Sequence, residues 1–361
     1  MKIENCKLFV ILLKNQQSMN ERINWMDWAK FLSVALVVPV HIPQATGAQP
    51  VTWFMVFLLA CLMFNSGYLK KERTNLKEEI KKYGYQLGIP YIAYNILFYP
   101  YWLIKFYSEH GNMPTFSESI KPIYGTILLQ TNNSFAEELN PVTWFIAALF
   151  IMHLLMDICL QRKHGNWLMG ALCLLAMGLY VVSKYNGFTT HYVAVGIFKS
   201  LPFYYMGFLC RKYHVLEKCS LRSDAISFAI TLILSIILFD YHAGIESDFT
   251  MHMISYFPTV LFGVLAFIYF CKLLNGIHSK VVITYSNGTM AFIGLHWMMT
   301  GLIRYGILKP FFHIPADYIF SPLEAYLLGL VVTLLLYPII LIFQAKIPWM
   351  LGKKTKPSIE A

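Results

Sequence analysis

Apolar residues in this chain fall in long blocks separated by short polar ones. Ten apolar stretches of roughly 20 residues recur, at 25–46, 51–69, 87–107, 142–161, 167–185, 193–210, 223–240, 253–274, 287–308 and 321–343, each long enough to cross a hydrocarbon core about 30 Å thick. The pattern predicts an all-α integral membrane protein of about ten transmembrane helices. The longest outer connection, 108–141, contains a partly apolar stretch from Ile120 to Leu129, which suits a short helix on the membrane surface. The longest inner connection, Lys70 to Gln86, alternates Lys with Glu, and Glu78 and Lys82 are four apart. That spacing suits an interfacial helix with a solvated charged face; binding of an anionic ligand such as a nucleotide phosphate is the other use of the same charges. The chain divides into a cytoplasmic N-terminal segment 1–24, a single polytopic membrane domain 25–343 and a basic cytoplasmic tail 344–361.

Composition agrees with this division. Of the 361 residues 57% are apolar and 13% charged, with a mean hydropathy of +0.53, whereas soluble domains carry about 25% charged residues. The basic residues set the orientation, because Lys and Arg near span ends accumulate on the cytoplasmic side. With both termini inside, the inner segments hold 22 of the 29, including six between Lys70 and Lys82, while Lys105, Lys121, Lys184, Lys199, Arg304 and Lys309 lie outward. The net charge of +10 is thus a consequence of topology, and no nucleic-acid binding is expected. Of the seven cysteines, Cys61, Cys159, Cys173, Cys210 and Cys271 fall in spans and Cys6 and Cys219 in inner segments, so no disulfide framework is expected. No Cys/His spacing suggests a metal. Leu8 to Leu13 is too short to span and lacks a small-residue cleavage site after it, so it does not read as a signal peptide; Met19 is an alternative start to Met1.

Ionisable groups inside spans are the candidate chemistry, since each costs about 2.5 to 3.5 kcal/mol at the bilayer centre on the lenient insertion scale. His41 lies two-thirds of the way along the first span, bracketed by Pro39 and Pro43, which should bend the helix and free carbonyls beside the imidazole. Its two readings are a working base and a neutral ring satisfying a helix carbonyl. Lys30 precedes it by three turns, about 16 Å of rise, close to the same face; it either meets an anionic molecule from the cytoplasm or pairs with Asp27. His296 is a second mid-span imidazole. His153 and Asp157, four apart on the fourth span, suit a structural pair. Lys199 and Arg304 either snorkel outward or face an anionic acceptor. Asn65 and Asn95 suit helix–helix contacts, and Pro90, Pro202 and Pro258 are expected near helix starts. No P-loop, GxSxG elbow or Ser/His/Asp order is present.

Five blocks in order carry a resemblance. They are RINWMDWAKFLSVALVVPVH, NSGYLKKE with KKYGYQLGIPYIAYNILFY, PVTWFIAALFIMHLL, LPFYYMGFLCRK and YSNGTMAFIGLHWM, spanning Arg22 to about Trp297. Together they resemble the membrane acyltransferase-3 family, especially the fucose 4-O-acetylase-like sugar O-acetyltransferases. The resemblance implies an integral-membrane O-acyltransferase of the bacterial plasma membrane that moves an acetyl group from acetyl-CoA to a hydroxyl of an envelope carbohydrate, lipid-linked or polymeric. By position His41 matches the family's first-helix histidine and His296 its later one. Lys30 stands where the family usually has arginine, which keeps the charge but loses the guanidinium fork. The family's paired arginines at the start of the third helix have no clear match, with Lys81 and Lys82 nearest. On this reading His41 and His296 are catalytic, Lys30, Lys81 and Lys82 bind the donor, and Trp144 and Arg304 bind the acceptor. The competing class is a transporter or flippase for a saccharide or small anion, which also uses broken helices and buried ionisable groups.

Overall fold

Each of the ten apolar stretches forms helix over most of its described residues, because a chain inside hydrocarbon must satisfy its own backbone. The structure, a computed structural model, describes residues 22–44, 51–72, 75–187, 191–217, 220–245, 247–315 and 317–354. Its helices are α1 (Asn24–Val40), α2 (Val51–Tyr68), α3 (Leu76–Tyr83), α4 (Ile89–His110), α5 (Phe116–Ile127), α6 (Trp144–Leu160) and α7 (Gly165–Tyr185). They continue with α8 (Tyr192–Lys212), α9 (Leu221–Gly244), α10 (Phe249–Leu273), α11 (Lys280–Asn287), α12 (Thr289–Ile303), α13 (Lys309–Phe312) and α14 (Pro322–Lys346). Among the described residues there is no β-strand, only the isolated bridges Gln44 to Phe320 and Thr131 to His191.

Six helices among the described residues are long and apolar enough to cross a membrane: Pro141–Leu160, Gly165–Tyr185, Tyr192–Lys212, Leu221–Gly244, Phe249–Leu273 and Pro322–Lys346. The other four expected spans fall short of that standard for physical reasons. Two are short, α1 with 17 residues and α12 with 15. Trp53–Tyr68 is a shorter apolar helix, and α4 dilutes its apolar residues with five tyrosines. Burial separates centre from rim. The span of α9 is 17% buried and that of α6 61%, so α9 faces outward and α6 lies among its neighbours.

Glycines set the closest crossings. A Cβ on Gly67 would fall 1.8 Å from the carbonyl oxygen of Tyr204, and one on Gly207 2.1 Å from that of Phe64, so α2 and α8 touch backbone to backbone. Gly294 and Gly301 of α12 receive the side chains of Tyr94 and Tyr101 on α4. That contact turns the opposite face of α12, with His296, toward α1. Gly329 of α14 seats the ring of Pro39, which fixes the last turn of α1 from behind.

Several expectations change in detail. The first helix ends at Val40, and His41 is its C-cap. Pro39 occupies the last turn, and Pro43 disfavours helical geometry at the residue before it. Pro90 does sit at the start of α4, but Pro202 and Pro258 lie inside α8 and α10, where neighbouring helices make interior proline tolerable. The inner connection forms α3 with Asn75 as its N-cap, and Lys82 pairs with Glu79 at 2.9 Å, not with Glu78. The outer connection forms α5, started by a Thr115/Glu118 capping box. After it Leu129 and Gln130 both take φ of 58°, a left-handed pair that drives Gln130 inward.

Candidate active site

The first helix runs out at the place where an imidazole is needed. Its orphan carbonyls are met locally: His41 N–H donates to the Val38 carbonyl at 3.0 Å, Ile42 N–H to Pro39 at 3.2 Å, and the Gln44 side chain also to Pro39 at 2.8 Å. His41 Nδ1 lies 2.9 Å from the Val37 carbonyl. A carbonyl only accepts, so Nδ1 carries the proton and Nε2 presents a lone pair.

His296 repeats this arrangement on α12. Its Nδ1 lies 2.8 Å from the Phe292 carbonyl and 3.1 Å from that of Ile293, while its Nε2 is buried and has no hydrogen-bond partner. The two imidazole centroids are 5.1 Å apart, and the edge of Trp297 meets His41 at 5.4 Å. Both rings line one small cavity of about 30 Å³ with Val34, Val37, Trp144 and Phe145 among its other walls. The walls are otherwise mostly aliphatic and aromatic, so the two Nε2 atoms are its chemistry.

Trp144 is thereby brought beside both histidines. Its ring lies against Gly196 of α8, where a Cβ would fall 2.1 Å from Trp144 Cζ3. Lys30 is not in the cavity wall, but Lys30, Val34, Val37 and His41 fall at helical spacing along one face of α1, and the last three line the cavity. Asp27 stays within electrostatic reach of Lys30, but its direct contacts are to other groups. Asp27 takes a two-pronged contact from Arg22 at 2.5 and 2.8 Å and the hydroxyl of Ser286 at 2.6 Å. Arg22 and Lys353 are the other cations within electrostatic reach of Lys30. Lys353 is brought there by a docked tail, in which Gly352 abuts the Gln86 carbonyl and Tyr94 donates to the Met350 carbonyl at 2.8 Å.

Lys81 and Lys82 stand apart from this cavity on α3, the first exposed and the second half-buried over the Tyr83 ring at 4.5 Å. Arg304 begins a π-helical turn, Arg304–Leu308, about 12 Å beyond His296 along the helix. Its guanidinium lies 5.7 Å from the Phe320 ring, whose N–H donates to the Pro43 carbonyl at 2.9 Å. Arg304 therefore flanks the loop that follows His41.

Two buried polar assemblies escaped the sequence. Asp157 pairs with Lys70 at 2.5 Å, not with His153, and Tyr83 also accepts from Lys70 at 2.7 Å; His153 stacks on Tyr83 and meets the Tyr204 hydroxyl. The second ties α4 to the outer connection: Gln130 donates to Asn95 at 2.9 Å and to Thr143 at 3.0 Å, while Asn140 donates to the Gly294 carbonyl at 3.0 Å. Asn95 therefore does bridge helices, whereas both polar atoms of the Asn65 side chain are buried without a partner. Nearby, burial holds the Glu138 carboxyl above the ordinary carboxylate range, against the hydrogen bond to Tyr192, and its Oε2 has no partner. Among the described residues no group of three or more His, Cys, Asp or Glu is placed to hold a metal.

A family model described as an acyltransferase domain matches residues 23–342. No curated protein and no solved structure matches.

Proposed function

The chain belongs to the membrane acyltransferase-3 family, and from that premise we propose that it moves an acetyl group from acetyl-CoA to a hydroxyl of an envelope carbohydrate. On this reading it is a protein of the bacterial plasma membrane that spans it about ten times, with both termini in the cytoplasm. The observation that supports the site most strongly is the pair of imidazoles sharing one cavity, each anchored through Nδ1 to a carbonyl of its own helix.

His41 Nε2 takes the proton of the acceptor hydroxyl as its oxygen bonds to the thioester carbonyl carbon. The C–S bond then breaks, and the departing thiolate takes that proton back from the imidazolium. General-base assistance of this kind contributes about 10² to 10⁴ in rate. The Nδ1 hydrogen bond keeps the ring from turning as Nε2 gains and loses its proton. His296 Nε2 is the second acceptor in the cavity and holds the hydroxyl or the relayed proton in register. Lys30 meets the donor's phosphates from the cytoplasmic end of α1, with Lys81 and Lys82 as a landing surface. Trp144 stacks on the sugar ring, and Arg304 guards the outward approach.

The test uses purified protein with acetyl-CoA and envelope glycan, reading free CoA thiol. His41→Ala should abolish acceptor-dependent release while the protein inserts and expresses as before; full activity in that variant refutes the base assignment. A transporter or flippase would release no thiol even as wild type.

A further inference from the structure

Lys199 is a cation that meets the imidazole cavity through one of its walls, Trp144. It lies on α8, whose first residue is Tyr192, hence about 10 Å along the helix from the end that α8 shares with the start of α6. Its ammonium is 5.4 Å from the Trp144 ring centroid, and Trp144 lines the cavity with His41 and His296. Gly196, one turn before Lys199, leaves the space that this ring fills. The same two turns of α8 therefore seat the indole and place a positive charge over it.

Among the described residues no carboxylate forms an ion pair with that ammonium. The ion pairs among the described residues engage Arg22, Lys70, Lys82, Lys105, Arg211, Lys212 and Lys272, and the charge within electrostatic reach of Lys199 is that of Lys184, of the same sign. Lys184 itself rests on the Tyr180 ring at 5.9 Å. An aromatic face offsets only part of the cost of holding an ammonium at membrane depth. A lysine kept there within electrostatic reach of a second lysine is poised for an anion that none of the described residues supplies through an ion pair.

We propose that Lys199 receives an anionic group, a carboxylate or a phosphate, on the carbohydrate whose hydroxyl is acylated at His41. The inference rests on the acyl-transfer reading and names the class of acceptor for that site: a sugar bearing negative charge, stacked on Trp144 with its anion on the ammonium. Lys199 lies at the same end of the bundle as Trp144 and the His41 cap, whereas Lys30 lies toward the opposite end of α1, so the two lysines are separated in depth as acceptor and donor require. A carboxylate would come from a uronic acid, and a phosphate from a lipid-linked sugar diphosphate.

The experiment follows CoA thiol release by the purified full-length protein with three acceptors: a neutral methyl glycoside, the matching methyl uronide and a lipid-linked sugar diphosphate. Wild type should favour one of the charged acceptors, and which one identifies the anion. Lys199→Gln should raise KM for that acceptor about tenfold or more, the effect of losing one charge-assisted contact, with kcat and the KM for the neutral glycoside little changed. Lys199→Arg should restore most of the loss, and both variants should unfold at the wild-type temperature. Equal effects on neutral and charged acceptors, or none on either, overturn the inference while leaving acyl transfer intact. Absence of thiol release from wild type with all three acceptors and with envelope glycan overturns the acyl-transfer reading, and this inference with it.

Discussion

His41 was legible as a candidate because its neighbours were in the sequence. Pro39 and Pro43 signalled a bend with freed carbonyls; the structure turns the bend into an end at Val40, and a stopping helix leaves carbonyls for an imidazole to meet. What the sequence could not contain was the partner: His296 comes from α12, and their 5.1 Å approach depends on glycines that turn α12 against α4. The same limit explains Asp157. Sequence spacing offered His153 four residues away, while the structure brings Lys70 from beyond the end of α2. Asp157→Asn should therefore be destabilising, by less than the cost of about 3 to 5 kcal/mol for a fully stranded buried charge, because it leaves the Lys70 ammonium only the Glu79 carboxylate at 3.8 Å as counter-charge; thermal unfolding in detergent would show it. The double variant Lys70→Met, Asp157→Leu should recover most of that loss, and a double variant as unstable as the single one would contradict the account. Glu138 gives a prediction in pH. Its carboxyl is held above the ordinary range by burial, so the folded state binds its proton more tightly than the unfolded chain does, and stability falls as pH rises from the ordinary carboxylate range through the raised value. Glu138→Gln should thus raise the unfolding temperature relative to wild type at pH 8 and have a smaller effect at pH 5. A stabilisation that grows toward low pH would have the wrong sign.

Among elements, helix existence was readable and helix contact was not. Apolar length marked the ten helical segments to within a few residues at most ends, because hydrocarbon leaves a chain little choice but to hydrogen-bond with itself. The exception, α1, is the one whose end carries the candidate site. Which glycines matter is decided by neighbours that no linear pattern shows. Gly67 and Gly207 lie where α2 and α8 meet backbone to backbone, whereas Gly170 and Gly178 of α7 have nothing within 4 Å of an added Cβ. Gly67→Ala or Gly207→Ala should force the helices apart and cost about 1 to 3 kcal/mol or more. Gly170→Ala and Gly178→Ala should leave stability unchanged or raise it by about 0.5 to 1 kcal/mol each, as expected for glycine in a helix interior. Unfolding temperatures of the four variants measured side by side decide the matter, and similar losses in both pairs would mean that the α2 and α8 crossing is not special.

At the scale of the whole molecule, the charge pattern argues for one orientation, and the proposed chemistry requires the same one. On the proposed reading a donor carrying phosphates arrives from the cytoplasm, which requires the end of the bundle that holds Lys30 to be the inner one and the end that holds Trp144 and α5 the outer one. Charge asymmetry along the chain gives the same direction without reference to the site. The two arguments are independent, and one labelling experiment addresses both. Ser117 of α5 and Lys81 of α3 are exposed and belong to opposite ends in this scheme. The native cysteines Cys61, Cys159, Cys173 and Cys271 are buried and Cys210 is partly so, while Cys6 and Cys219 lie outside the described residues. With the native cysteines replaced by alanine, Ser117→Cys should react with a membrane-impermeant maleimide in intact cells, and Lys81→Cys only after the membrane is opened. The reverse pattern would put Lys30 at the outer face, where no acyl-CoA is available. Acyl transfer from a cytoplasmic thioester would then have to be abandoned however well the two imidazoles are placed.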